Sequence, residues 1–347
     1  MNRIILRNIL LTVLFFATIN IAAQNDSIHG LKGWMYKIKQ KIDSHLDNAK
    51  ITTDTLYVKR PDQPLTLRVK TDTYGTEIYT VGESDGFKSK TFLHTGFKET
   101  VGLTANYRGL SVALSINPRK LLGKNGQTEY FITYYNNKYG ADLTYSDMYE
   151  FTLDSYLDDN LYTFEMKDTH MRSLSANAYY VFNGKKMSYP AAFNNSWIQK
   201  RSAGSFIVGA SYLIGKFESV YDYENDYIAS NQSIDMQHVA VGGGYAYNFV
   251  PNKHWLVHIS AEPSIIVWQR YIARIQRDFE TDKAIPYKIK YKFPEICILG
   301  RIGATYSWKN YFVGIMGVVN RSGAGSQKEF HLTNLMWKGR LYFGIRI

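Results

Sequence analysis

A single cysteine, Cys297, in a chain of 347 residues leaves no disulfide framework. The small secreted folds that depend on one are excluded. Long apolar runs are equally scarce. The longest, Ile9 to Ile21, is interrupted by Thr12, Thr18 and Asn20, and it falls short of the roughly 20 apolar residues that a membrane-spanning helix needs. Arg3 and Arg7 precede it and Ala22-Ala23 follow it, the order of a secretory signal peptide with cleavage after Ala23. No cysteine stands just beyond the run, which argues against a lipid-anchored N-terminus. The mature chain is then either soluble in an exported compartment or crosses a membrane as strands.

Proline is also sparse, at 8, whereas 28 Tyr, 18 Phe, 6 Trp and 26 Gly accompany a mean hydropathy of -0.28. A barrel that is apolar outside and polar inside averages to such a value. The formal charge of +11 suits anionic lipid head groups or an anionic solute. An exported chain meets no nucleic acid, so that class of partner is set aside.

Residues 31–46 read as an amphipathic helix, with Leu31, Trp34, Met35, Ile38, Ile42 and Leu46 at three- and four-residue steps and lysines between them. Such a helix either packs against a barrel rim or lies in the membrane interface with its lysines on phosphates. A linker, 47–64, follows. From Leu65 the period changes to two, and twelve strands are expected near 65–80, 90–106, 109–117, 127–136, 139–150, 167–182, 200–217, 236–249, 254–270, 289–307, 310–321 and 329–347. Their connections alternate in length. Asn106 to Gly109, Asn136 to Lys138, Val250 to Lys253 and Ser307 to Asn310 are tight turns, and between them come long polar links at 151–166, 218–235 and 271–288. Short turns on one side and long loops on the other mark a transmembrane barrel. One connection breaks the rule: at 183–199 the turn signal Asn183-Gly184 is followed by a longer insert.

The two faces of the strands are distinct. Leu110, Val112, Leu114 and Ile116 alternate with Ser111, Ala113, Ser115 and Asn117, and Val239, Val241, Tyr245, Tyr247 and Phe249 alternate with Ala, Gly and Asn. The first set of each faces lipid and the second a narrow lumen. Tyr107, Tyr139, Trp255, Trp308 and Tyr311 at strand ends fit aromatic girdles. Leu341, Phe343, Ile345 and Ile347 keep the alternation to the last residue, as a strand that must close a barrel requires. The expected fold is therefore all-β, an antiparallel up-and-down barrel of about 12 strands over 65–347, preceded by a signal peptide (1–23) and a periplasmic helix and linker (24–64). Glu99 on a lipid face requires a bulge or a position above the membrane band, and Pro263 within a strand implies a kink.

Lumen candidates for binding are Arg301, Arg340, Arg346, His258 and Glu262, with Lys200 and Arg201 at the insert; Arg108 and Lys338 are also placed inside. A cationic wall would favour anionic solutes; the same residues, with Glu262 and Asp142 as partners, would equally make an ion-pair network filling the interior. A catalytic reading needs a nucleophile beside a base. His238, His254 and His258 are present, but no Gly-x-Ser-x-Gly or His-x-Ser-Asn run occurs, and no Cys/His metal cluster or phosphate-binding loop. Neither cofactor nor catalytic residue is expected.

Ser188-Tyr189-Pro190-Ala191-Ala192-Phe193, then Ile198-Gln199-Lys200-Arg201-Ser202-Ala203-Gly204-Ser205-Phe206, resembles the signature of the domain-of-unknown-function family 4421 of outer-membrane barrels. Asp54 to Val58 and Leu65 to Arg68 resemble that family's N-terminal part. The resemblance implies export and a barrel, and supplies no activity. It directs attention to the 183–199 insert, where Phe193 and Trp197 are expected against the barrel end or in its mouth and Lys200 and Arg201 toward the lumen or lipid phosphates. The functional expectation is an outer-membrane barrel with periplasmic termini, a narrow non-catalytic pore or a solute- or lipid-binding barrel. Its partners would be outer-membrane lipid, the barrel assembly machinery and an anionic solute. The alternatives are a hydrolase of envelope lipid and an assembly barrel with a periplasmic partner.

Overall fold

The computed structural model describes residues 53–347 except 85–86, 123–126, 158–159, 222–229, 277–284, 292 and 327–329, together with Gln40. The expected signal peptide, and the expected helix 31–46 apart from Gln40, lie outside the described residues.

Twelve strands form the wall. The first six are β1 (Leu65–Ser84), β2 (Lys98–Tyr107), β3 (Leu110–Ile116), β4 (Thr128–Tyr135), β5 (Tyr139–Leu157) and β6 (Asn160–Val181). They continue as β7 (Ala203–Tyr221), β8 (Ser230–Phe249), β9 (Trp255–Gln276), β10 (Glu295–Trp308), β11 (Tyr311–Ser326) and β12 (Phe330–Arg346). Each pairs antiparallel with its successor, and β12 returns to β1 with Arg346 opposite Thr66. Leu65 and Ile347 exchange both backbone hydrogen bonds, at 3.2 and 2.8 Å. The ring of twelve strands is closed.

All twelve expected strands are present, and they run further than the sequence suggested. The segments read as loops at 151–166 and 218–235 are largely continuations of β5 to β8, and β9 extends to Gln276 and pairs with a short strand, Ile285–Ile289. Above the apolar belt polar residues such as Asp154 and Glu165 interrupt the outer face, while Phe151 and Met166 stay buried in the interior. The period-two hydrophobic signal fades there while the backbone ladder goes on. The strand expected at 90–106 is broken at Thr95 to Phe97 into Phe87–His94 and β2. Its upper piece pairs directly with β5, over the top of the short β3–β4 hairpin. Glu99 sits beside this break on the exposed outer face, about 26 Å along the strand from Tyr107, at the upper margin of the belt.

Outward-facing apolar side chains are exposed from strand to strand, with Val101 at 48%, Ile132 at 48% and Ile302 at 57%. Only lipid accommodates such a continuous belt around a closed barrel. At the end carrying the tight turns, Trp255, Tyr306, Trp308, Tyr311 and Phe343 form a chain of ring contacts 5.2–6.1 Å apart across four strands. Tyr107 does not join a girdle: it is covered, packed with Leu65 and Ala105, with the Arg108 guanidinium over its ring. Pro263 lies where the β8–β9 pairing is interrupted opposite Gly243-Gly244. Gly244 passes so close to β9 that a Cβ there would lie 1.9 Å from the Ala261 carbonyl oxygen.

Replacing Ile302 by Arg is expected to cost about 2–4 kcal/mol in lipid if this face is at the bilayer midplane. Reversible urea unfolding in vesicles measures it; a cost near zero would place Ile302 outside the membrane.

Candidate functional site

The insert between β6 and β7 is the only connection at the turn end with a folded body of its own among the described residues. Asn183 and Gly184 start the turn, and Ser188 caps a short helix, α1 (Tyr189–Phe193), by accepting from the Ala191 amide at 3.3 Å with Pro190 in its first turn. Residues 187 to 196 are buried throughout. They fill the mouth of the barrel as a plug.

Three arginines from the wall hold it. Arg68 on β1 donates to the Phe193 carbonyl at 2.7 Å, Arg346 on β12 to the Asn195 carbonyl at 3.2 Å, and Arg301 on β10 to the Tyr189 hydroxyl at 2.5 Å. Burial pushes the Tyr189 phenol up to about 12, with Arg301 acting in the opposite sense. The hydroxyl is therefore neutral at ordinary pH and accepts from the guanidinium. Asn248 on β8 donates to the Ser188 carbonyl at 2.8 Å, and Ser188 Oγ donates to Asn137 Oδ1 at 2.7 Å. The carbonyls of Ser188, Phe193 and Asn195, in and around α1, thus find charged or amide donors instead of water, as groups buried in the barrel require.

His258 stands beneath the plug, with the Phe193 ring 4.7 Å and the Tyr189 ring 5.5 Å from its own. Because Asn248 Nδ2 is committed to Ser188, Asn248 Oδ1 faces His258 Nδ1 at 2.7 Å and fixes the proton there. His258 Nε2 then accepts from Ser260 Oγ at 3.1 Å. The resulting Ser260–His258–Asn248 chain has the order of nucleophile, base and orienting group. It forms without a His-x-Ser-Asn run, because Asn248 comes from the neighbouring strand and not from the residue after Ser260.

One step further into the lumen lies an ion-pair layer. Arg340 binds Asp72 through both carboxylate oxygens, at 2.5 and 3.0 Å, Lys70 reaches the same carboxylate at 2.7 Å, and Lys338 pairs across the lumen with Glu129. Arg301 lies 3.8 Å from Glu262, whose carboxylate crosses above Gly209 so closely that a Cβ there would lie 2.1 Å from it. Asp142 accepts from Asn177 and Tyr135. Above the ion pairs Tyr74, Met148, Phe151, Met171, Phe217 and Met236 belong to one buried apolar cluster. Between plug and cluster remains a cavity of about 270 Å³.

Of the sequence candidates, Arg301, Arg340, Arg346, His258 and Glu262 all lie inside the barrel, as does Lys338. Lys200 and Arg201 do not point into the lumen. Both are exposed on the outer surface of the plug, Lys200 donating to the Thr55 carbonyl and Arg201 lying over the Tyr57 ring. Arg108 sits in the β2–β3 turn and His254 in the turn before β9. Both strands leave the lumen before these positions. Arg68, Lys70, Asp72 and Glu129 were missed as lumen residues, although Arg68, Lys70 and Asp72 alternate with Leu67, Val69 and Thr71 in a readable period of two.

A family model matches residues 52–346. The chain belongs to that family, described as a domain of unknown function (DUF4421). No curated protein matches the chain. Among solved structures, the outer membrane protease OmpT from Escherichia coli is similar at 11% identity and a TM-score of 0.41, over 83% of this chain and 97% of that one. The outer membrane protein OprG from Pseudomonas aeruginosa is similar at 11% identity and 0.30, over 82% and 96%. The translocator domain of autotransporter NalP from Neisseria meningitidis is similar at 12% and 0.20, over 90% and 96%. None of them transfers an activity to a member of the DUF4421 family at such likeness.

Two substitutions separate the layers. Asp72→Asn leaves Lys70 and Arg340 as buried cations without their carboxylate, and is expected to lose about 3–5 kcal/mol of unfolding free energy in vesicles. Arg68→Met removes one plug anchor and leaves a buried carbonyl unpaired, a loss of about 1–3 kcal/mol. Hydrogen exchange of the Ala191 and Asn194 amides should accelerate while β-strand amides keep their protection.

Proposed function

We propose that this chain is a plugged outer-membrane barrel, its turn end and both strand termini facing the periplasm, which holds a small polar solute in its lumen and neither conducts freely nor catalyses. The observation carrying this reading is the plug: a folded segment bonded to wall strands on several sides of one mouth. An open pore has no use for it. Small barrels fill their interiors with side chains, but here a cavity remains above the plug, and its lining is uneven.

Thr144, Ser146, Ser173, Ser175, Asn177 and Ser211 lie on the adjoining strands β5, β6 and β7. The charged residues of β12 and β1 lie elsewhere on the cavity wall. Their cations are met by Asp72, Glu129 or plug carbonyls, so no unopposed cationic ring is presented to an anion. The hydroxyl-rich lining suits a neutral, hydroxylated solute better. Several buried polar atoms around the cavity have no hydrogen-bond partner among the described residues, including Arg68 Nε, Tyr74 OH, Glu129 Oε2, Thr133 Oγ1 and Asn334 Oδ1. They supply both donors and acceptors to whatever occupies it.

The Ser260–His258–Asn248 chain supports a second reading, hydrolysis of an acyl ester. In this conformation the plug rings cover His258, and Asn248 holds the plug, so the three residues act as its anchor. A fluorophosphonate that labels the barrel lacking residues 185–198, and fails on its Ser260→Ala variant, would establish hydrolytic competence. Absence of labelling leaves the anchor.

Planar-bilayer recording tests the main reading. The wild-type chain is expected to give no steady ohmic steps, and replacement of residues 185–198 by a short Gly-Ser link to give them. Heat-modifiable gel migration verifies that the shortened barrel folds. Stable wild-type conductance would contradict the plugged state.

A further inference from the structure

The positive charge of the chain is concentrated at one end of the barrel. In the turn-end segments 53–64, 107–109, 136–138, 182–202, 250–254 and 309–310, ten Lys and Arg side chains stand against two Asp, Asp54 and Asp62. Four of the ten, Arg108, Lys138, Lys253 and Lys309, sit in rim turns beside the aromatic girdle, within reach of lipid head groups. The other six are on the cap, carried by the plug (Lys185, Lys186, Lys200, Arg201) and by the strap at 53–60 that crosses it (Lys59, Arg60).

Strap and plug form one surface. Val58 and Lys59 pair with Gln199 and Ile198 as a two-stranded sheet, the Lys200 amide donates to the Tyr57 carbonyl at 2.7 Å, and Asp54 accepts from Leu56. Cations are stacked on the aromatic rings of this cap. Lys186 and Arg201 lie 5.1 and 5.9 Å from the Tyr57 centroid, and Arg60 lies 5.5 Å from that of Trp197. Leu56, 56% exposed, is the apolar point among them. Tyr, Trp and Arg held in fixed contact, with an exposed Leu next to the Tyr in the chain, is the composition of a protein-binding hot spot. A lipid surface is reached from the rim, whereas this cluster sits over the filled mouth.

We propose that the cap is a docking surface for an acidic protein of the compartment it faces. Leu56, Tyr57 and Trp197 form the contact centre, and the six cations around them steer and fix an oppositely charged patch. The chain's own N-terminal segment does not supply that charge. Residues 24–52 carry five lysines against three aspartates, so the complementary surface belongs to another molecule. The inference requires the seated plug and is independent of any solute in the lumen.

A photo-crosslinking amino acid in place of Leu56, in the full chain inserted in its native membrane, tests it. The expected result is a discrete protein adduct whose yield falls about tenfold or more on charge reversal at Lys185 and Lys200 (Lys185→Glu with Lys200→Glu), as loss of steering and pairing requires. The adduct protein, purified, should bind the wild-type chain in nanodiscs with an affinity that falls steeply with salt. Heat-modifiable migration of the reversed variant guards against a folding defect, and Lys253→Glu with Lys309→Glu on the rim should leave the yield unchanged. Adducts to lipid or to cell-wall polymer alone, a protein adduct insensitive to cap reversal, or no adduct would each overturn the proposal.

Discussion

Every backbone N–H and C=O that enters hydrocarbon must find its partner within the protein, because water is absent there. This single requirement organises the chain. It excludes an open sheet, so β12 must return to β1, and the reciprocal bonds of Leu65 and Ile347 are the point of closure. Closure in turn fixes the side-chain alternation around the ring, apolar outward and polar inward. It creates an interior that has to be filled with groups able to satisfy one another.

The interior is filled in tiers that follow the inward stripe of β1. Arg68 belongs to the plug tier, Lys70 and Asp72 to the ion pairs, and Tyr74 to the apolar cluster above them. The plug tier solves a second backbone problem. A helix inside the mouth exposes polar groups that need donors: guanidiniums on β1 and β12 serve the Phe193 and Asn195 carbonyls, and one on β10 serves the Tyr189 hydroxyl. Arg301 and Arg346 are therefore bound to structure instead of being displayed to solute. Their chemistry resembles that of an anion-selective constriction, while their geometry is that of anchors. Breaking one contact here leaves a desolvated group behind, so the plug is held by an accumulation of costs that only concerted withdrawal avoids.

Much of this was legible in the sequence. Period-two alternation located all twelve strands, and the ending at Phe343, Ile345 and Ile347 announced a closing strand. The family signature at 188–206 marked the segment that became the plug. Four things were not legible. Strand extensions above the belt read as loops because polar residues such as Asp154 and Glu165 interrupt their outer face, although Phe151 and Met166 stay buried inside. The inward or outward sense of Lys200, Arg201 and Arg108 depends on where the ladder ends, and a shift of one or two residues there takes a side chain out of the lumen. The link between Asn248 and His258 is a register contact between neighbouring strands, ten residues apart along the chain, and no local motif encodes it. The ion pair of Lys338 with Glu129 crosses the lumen between β12 and β4 and is likewise set by closure alone.

The account stands on the plug being seated inside the barrel, and a cysteine pair measures that directly. Ser188 and Asn137 touch through their side chains at 2.7 Å, one on the plug and the other on the turn before β5. In a Cys297→Ser background, Ser188→Cys with Asn137→Cys should oxidise to an intramolecular disulfide in the folded, heat-modifiable barrel, and reduction should leave the fold intact. Two cysteines that remain free and reactive toward a water-soluble thiol reagent in that same folded barrel would contradict the seated plug.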